Sequence, residues 1–355
     1  MEIEKWFVKL VERGIFMKSI IRKRMEKGSV IDNQSFKAVF PKNMLLEVTN
    51  ICNDSCLFCA NSKSTRKRGF IEPKFAKKVL KEAYELGTTD VGFYATGEPL
   101  VNKELEEYIK YAKEIGYEYT YITTNGALLD KERANSLIEA GIDSIKFSIN
   151  ASNKKDYILI HGKDDFEKVE RNLKNLSDLI KGTGIKLYIS CIFTDQTKNT
   201  KDEFESIFKD YVDDIIFLHC VNQSGYMYEI NNLLIDEKCA KYNPQNDICP
   251  IIFNNFYVTY EGYLTMCCSD FQNYLTVADL NQESLKEAWN NEYAEYLRKC
   301  HLQHDLIGTL CYNCIHNSNE EIKPLNPELA VSFDDKIWTK KEEIIERLEL
   351  WNLQS

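Results

Sequence analysis

No stretch of this 355-residue chain approaches the ~18–20 consecutive apolar residues that a membrane-crossing helix requires. The N-terminus, MEIEKWFVKLVERGIF, lacks the uninterrupted apolar core of an export signal, because acids and bases break it. A surplus of basic residues is missing too. The 45 Lys and Arg against 55 Asp and Glu leave a formal charge of −10, which argues against a nucleic-acid partner. The basic run KSTRKR at 63–68 is too short to reverse that balance and reads as a solvated loop. Internal repeats and low-complexity segments are absent as well. What remains is an ordinary composition, 44% hydrophobic and 28% charged, expected in the cytoplasm and long enough for a large core. Against that background twelve cysteines are many. In a reducing compartment metal binding explains them better than disulfides do.

From residue 44 to about 220 short β-like runs alternate with amphipathic helical stretches. The runs are LLEVT (45–49), DVGFYA (90–95), YTYIT (119–123), SIKFSI (144–149), KLYISCIF (186–193) and DIIFLHC (214–220). The helical stretches are 73–86, 102–115, 130–140, 165–181 and 202–212, with starts signalled near Asp130 and Asp164. Repeated strand–helix–strand units build a parallel sheet with right-handed crossovers. Six strands fall short of the eight-fold barrel, so the expected fold is α/β, a partial (β/α)6 barrel. Ahead of it, Trp6, Phe7, Leu10 and Val11 share one helical face. Beyond about 236 the texture changes. NNFYVTYEGYLTMCCSD reads as a β-hairpin turning at Glu261-Gly262, a helix is expected at 282–300, and KKEEIIERLELW as a surface helix in the tail.

Cys52, Cys56 and Cys59 stand directly behind the first strand, where the active-site loops of α/β barrels gather. A closed tetrahedral zinc site needs four ligands, and no fourth cysteine is near. Three thiolates suit an iron–sulfur cube with one iron left open. Cys249, Cys267, Cys268, Cys311 and Cys314 form a second group. Their spacing alone is compatible with zinc or with an iron–sulfur cluster.

The C-x3-C-x2-C loop, with Phe58 before its last cysteine, resembles the signature of the radical S-adenosylmethionine (SAM) superfamily. Ala95-Thr96-Gly97-Glu98-Pro99 resembles that family's Gly-Gly-Glu-Pro motif, with Thr96 in place of the first glycine. Thr123-Thr124-Asn125-Gly126 closes the third strand as in many members, and Ser148-Ile149-Asn150 ends the fourth with asparagine for the usual aspartate. The resemblance implies that Cys52, Cys56 and Cys59 hold a [4Fe–4S] cluster. It further implies that Phe58, Thr96, Gly97, Glu98, Asn125, Ser148, Asn150 and Arg171 contact SAM. The C-terminal part resembles the SPASM/twitch extension, which implies an auxiliary [4Fe–4S] cluster on Cys249, Cys267, Cys311 and Cys314.

The expected organisation is an N-terminal helical extension (1–43), the barrel (44–235), the auxiliary-cluster domain (236–320) and a helical tail (321–355). The expected activity is reductive SAM cleavage fed by flavodoxin or ferredoxin, giving a 5′-deoxyadenosyl radical that abstracts a hydrogen atom. Oxidation of an alcohol carbon in a small-molecule or carbohydrate substrate leads. Epimerisation of a sugar or aminoglycoside carbon and peptide modification are the alternatives, with an electron carrier or zinc module as the non-enzyme one. Cys268 is left over as a candidate hydrogen-atom donor, with Cys191 and Cys220 behind it. His161, expected on a loop near the cavity, is a candidate substrate contact. Asp270, Tyr94 and Tyr121 are weighed alongside it.

Overall fold

The computed structural model describes residues 35–234, 248–332 and 339–353, apart from the side chains at 232 and 233. The apolar face around Trp6 and the connecting cysteine Cys239 lie outside these residues. All six expected strands form: β1 (Asn43–Leu46), β2 (Asp90–Gly92), β3 (Tyr119–Thr124), β4 (Ser144–Ser148), β5 (Lys186–Phe193) and β6 (Asp214–His219). They pair in chain order, every pair parallel. Between them run α1 (Pro73–Glu85), α2 (Leu105–Ile115), α3 (Lys131–Ala140), α4 (Lys154–His161), α5 (Phe166–Leu179) and α6 (Lys201–Phe208). The Asp130 carboxylate accepts from Arg133 N and starts α3, as its position suggests. One helix departs from expectation. α4, capped by Asn153 accepting from Asp156 N, occupies what reads as a loop.

The strands have two unlike faces. Ile122, Ile145, Phe147, Leu187 and Ile189 are buried in the core beneath the helices. The alternate residues Tyr121, Thr123, Lys146 and Ser148 are only half-buried and line the other face, the lumen. Gly92 makes room there: a Cβ on it would sit 2.7 Å from the Tyr121 ring. Tyr121 reaches over it to donate to Asn43 Oδ1 at 2.7 Å.

The sheet does not close. Its order is β6-β5-β4-β3-β2-β1-β7-β8-β9. The hairpin strands β7 (Asn255–Val258) and β8 (Tyr263–Thr265) form where expected, with Gly262 at φ +96° in the turn. β7 pairs parallel with β1, Asn43 opposite Asn255, and β9 (Thr276–Asp279) completes the extension. The C-terminal part therefore continues the barrel's own sheet.

Around it lie α7 (Tyr228–Leu234), α8 (Ile251–Asn254), α9 (Leu285–Ala288), α10 (Glu292–Leu302), α11 (Leu310–His316) and α12 (Lys341–Asn352). The helix expected over 282–300 is two helices. Asn291 caps α10 afresh by accepting from Ala294 N, and buried Trp289 donates to Ala38 O at the break. The tail helix α12 is not a free surface helix. Ile344, Leu348 and Trp351 are buried, and Arg347 donates to Ser55 O at 2.6 Å and Leu159 O at 2.9 Å. No helix among the described residues is long and apolar enough to cross a membrane.

Candidate active site and metal centres

The loop behind β1 carries Cys52, Cys56 and Cys59 and is fixed from both sides. Ser55 N and Leu57 N donate to His161 O and Ile160 O at the end of α4, while Leu57 and Phe58 plug into the core. Arg68 donates to Asn50 O at 2.7 Å and Asn61 O at 2.6 Å, bracketing the loop. Burial pushes all three thiols above their ordinary range. Glu98 and Asp54 push Cys52 further, Asp54 pushes Cys56, and Arg68 offsets part of the effect at Cys59. Such thiols stay protonated until a cation displaces the protons, which is the behaviour of a metal-ligating set. Three soft donors on one short loop fit an iron–sulfur cube.

His161 is 1% exposed and stacks on Tyr157 with centroids 4.1 Å apart. Its Nδ1 is 3.0 Å from Asp54 Oδ2 and its Nε2 is 3.2 Å from Asn150 Nδ2. These contacts to Asp54 and Asn150 make the imidazole a strut between the cysteine loop and the end of β4. Asp54, Cys56 and His161 offer donor atoms within 4.8 Å of one another, but both ring nitrogens are already engaged. The residue expected as a substrate contact is thus hydrogen-bonded to the protein at both ring nitrogens.

The SAM landmarks gather at the same end of the barrel. Gly97 is needed for close approach, since a Cβ there would lie 2.4 Å from Thr49 O and 2.7 Å from Ile51 O. Glu98 is buried. Its Oε1 accepts from Thr124 Oγ1 at 2.7 Å and Leu100 N at 3.0 Å, and its Oε2 from Asn125 N at 2.8 Å. Burial lifts its pKa to about 7, against the pull of those donors. Asn125 Nδ2 donates to Asn53 Oδ1 at 2.9 Å, tying the third strand to the cysteine loop. Asn150 Oδ1 accepts from Ile192 N at 2.9 Å. Glu98 and Asn150 thus brace neighbouring segments, whereas Ser148 is half-buried in the lumen.

Arg171 is a correction. It stands on the exposed face of α5, because Val169, Leu173 and Leu176 turn the opposite face to the core. Its neighbour Asn172 reaches inward instead, donating to Gly126 O at 2.9 Å.

The run at 63–68 is a second correction. Lys63, Ser64 and Arg66 are buried. Arg66 Nε donates to Glu261 Oε1 at 2.8 Å, and its Nη1 to Glu47 Oε1 at 3.3 Å. Thr96, the residue replacing a family glycine, donates its hydroxyl to the same Glu47 carboxylate. A composition-level reading counts these arginines as surface charge, because their acidic partners lie far away in sequence.

Cys249, Cys267, Cys311 and Cys314 come together as the second thiol set. Cys249 and Cys311 are pushed up by burial and by the charges of neighbouring thiols, and Cys267 first by its hydrogen bond with Cys268 and then by burial. Asp270 builds the turn beside them, accepting from Tyr274 N, Leu275 N and Thr265 Oγ1; its buried carboxylate is structural. Cys268 adjoins the set and is held down to about 7 by hydrogen bonds from Cys267, Tyr257 and Ser269. Cys191 sits on the core-facing parity of β5, buried and away from the lumen. Four soft donors fit an auxiliary cluster with Cys268 to spare.

Two hollows connect these parts. A narrow cleft is lined by Ala95, Thr96, Tyr257, Cys267 and Cys268, so the SAM-side motif and the second thiol set share one wall. A cavity of about 400 Å³ opens between Lys63 behind β1, Tyr226 behind β6 and Asn313 between the last two cysteines.

Glu98→Ala and Asn150→Ala are expected to weaken SAM binding severalfold while the visible absorption of the reconstituted cluster persists, as equilibrium dialysis and spectra would report. Loss of iron in both variants would make them supports of the cluster itself.

Comparison with known proteins agrees with this geometry. Residues 46–211 match the radical SAM superfamily, and residues 249–315 match SPASM, an iron–sulfur cluster-binding domain. The chain is similar to a probable GTP 3′,8-cyclase of Methanothermobacter thermautotrophicus, 31% identical over 137 residues, 39% of this chain and 44% of that protein. It is also similar to an uncharacterised protein of Methanocaldococcus jannaschii, 29% identical over 190 residues, 53% of this chain and 59% of that protein. The match spans about half the length of these curated relatives. Among solved structures, Streptococcus suis SuiB bound to precursor peptide SuiA aligns with TM-score 0.63 at 16% identity, covering 90% of this chain and 87% of that one. BtrN in complex with AdoMet and 2-DOIA aligns with TM-score 0.53 at 20% identity, covering 79% and 96%. These two establish the fold.

Proposed function

We propose that this chain, which carries a radical SAM domain and a C-terminal SPASM iron–sulfur cluster-binding domain, dehydrogenates an alcohol carbon of a small-molecule substrate. When bound, the cluster on Cys52, Cys56 and Cys59 and its SAM supply reductive cleavage of the sulfonium and removal of a hydrogen atom from a C–H bond. The protein's part is to place that bond and exclude solvent. The supporting observation is the cleft in which Thr96 and Cys267 share a wall. Cys249, Cys267, Cys311 and Cys314 would hold an auxiliary centre, which would supply an acceptor for the second electron, with the hydroxyl proton released to solvent.

Radical epimerisation is the second reading, and one observation favours it. Cys268 lines the same cleft and is not required by the four-thiol set. BtrN's structure contains a small molecule, 2-DOIA, and SuiB's a precursor peptide. By analogy either substrate size is accommodated by this architecture.

Mass spectrometry in deuterated water separates the two reactions. Dehydrogenation gives a product lighter by two hydrogens, with one SAM consumed per turnover. Epimerisation leaves a product carrying one deuterium at the inverted carbon. Under dehydrogenation Cys268→Ala turns over normally; under epimerisation it cleaves SAM but returns no hydrogen. Deuterium in the product together with a dead Cys268→Ala would displace the first reading.

A further inference from the structure

We propose that Lys146 is the anion-recognising residue of the substrate site, and that the substrate carries a carboxylate or phosphate group held by its ammonium in the barrel lumen. The inference deepens the reading above and rests on the lumen being where substrate binds.

Lys146 lies in the middle of β4, opposite Thr123 of β3 and Tyr188 of β5. It shares the lumen parity of Ser148, two residues and so ~7 Å further down the strand. Its Nζ stands 6.0 Å from the centroid of the Tyr94 ring, and that ring in turn lies 6.0 Å from Tyr121. Among the described residues no carboxylate lies within 4.0 Å of this amine and nothing hydrogen-bonds it. Other lysines do have such partners: Lys113 meets Asp143 at 3.0 Å and Lys186 meets Asp213 at 2.8 Å. Burial pulls the pKa of the Lys146 amine below its ordinary range, and the charge of Cys268, on the cleft wall shared with the SAM-side motif, opposes that pull.

A second unpartnered group sits beside it. Thr123 Oγ1 is buried and has no hydrogen-bond partner. A cation and a hydroxyl donor, adjacent across one strand pair and both without protein acceptors, form a complementary site for an oxyanion. Burial in a tyrosine-walled lumen disfavours the ammonium form of this amine, and a bound oxyanion lying between it and the Thr123 hydroxyl restores it. The same positive charge disfavours an amine-bearing substrate by like-charge repulsion, so it selects against the aminoglycoside alternative.

The test uses anaerobically reconstituted enzyme with SAM bound, and reads binding rather than turnover. Malonate and inorganic phosphate are the two probes. Each is titrated by calorimetry and by its protection of Lys146 against acetylation, followed by peptide mass spectrometry. One of them is expected to bind saturably and protect Lys146; which one tells carboxylate from phosphate. Lys146→Met should weaken that probe by about 30-fold or more, as expected for the loss of a desolvated charge partner. Lys146→Arg should retain most of the affinity, and iron content in each variant controls for folding. Failure of both probes to protect Lys146, or equal binding by Lys146→Met, would overturn the proposal. So would loss of auxiliary iron in Lys146→Met but not in Lys146→Arg, which would assign the charge to the cluster. None of these outcomes depends on product mass, so the dehydrogenation reading stands or falls separately.

Discussion

Replacing Cys52, Cys56 and Cys59 together by alanine is expected to halve the iron of the reconstituted protein, from about eight to about four per chain, and to abolish formation of 5′-deoxyadenosine. The expectation follows from two thiol sets held by different parts of the sheet. The first hangs on the loop behind β1 and is braced by His161 and Arg68. The second is assembled from the residues flanking β7 and β8 and from α11. Rescue of the first site by neighbouring donors is blocked, because Asp54 and His161 are hydrogen-bonded to each other and Asn150 occupies the remaining ring nitrogen. Replacing Cys311 and Cys314 should give the complementary loss, leaving a cluster that still cleaves SAM. Full iron in the Cys52/Cys56/Cys59 variant would mean that the loop is not a cluster site.

The parts of this architecture carried by local pattern were legible in the sequence. Alternation marks each of the six strands, and the spacing of Cys52, Cys56 and Cys59 marks the first metal centre. Relations between distant segments were not. The run NFYV reads the same whether its hairpin stands alone or adds to β1, because parallel pairing leaves no mark on either strand. The tail helix shows its apolar positions, yet nothing in KKEEIIERLELW says that Arg347 will cap the carbonyl of Ser55. Motif matching found Glu98 and Asn150 but could not tell how much of each side chain is taken up in bracing neighbouring strands. Arg171 failed for a related reason: a basic residue in the right helix can still lie on its solvent face. Lys146 carries no local signal at all. A lysine in SIKFSI looks like the exposed member of an alternating strand, and only a lumen turns that face inward.

The ion network at Arg66 carries the largest stability effect. Arg66 joins Glu47, beside the SAM-side motif, to Glu261 in the hairpin turn, with both Arg66 and Glu47 side chains almost fully buried. Arg66→Met leaves Glu47 unpaired in the interior and is expected to cost about 3–5 kcal/mol, read as a lower urea midpoint of the holoprotein. Burial alone would push the Glu47 carboxyl up, but the charge and hydrogen bonds of Arg66, with Thr96 and Tyr260, outweigh it and hold the carboxyl below its ordinary range. In the parent this depressed pKa adds stability above the unfolded value, and that stability is lost as pH falls through the folded one. In Arg66→Met burial acts without that opposing cation, so the carboxyl titrates higher and the sign reverses. The variant's deficit should therefore shrink from about pH 8 to about pH 5 as Glu47 takes up a proton. Adding Glu47→Gln should recover much of the loss at neutral pH, since a neutral amide can still accept from Tyr260 N and Thr96. Equal urea midpoints for parent and Arg66→Met at neutral pH would show that the network adds nothing to stability. A deficit that grows toward acid pH would mean that Glu47 is not the group left stranded.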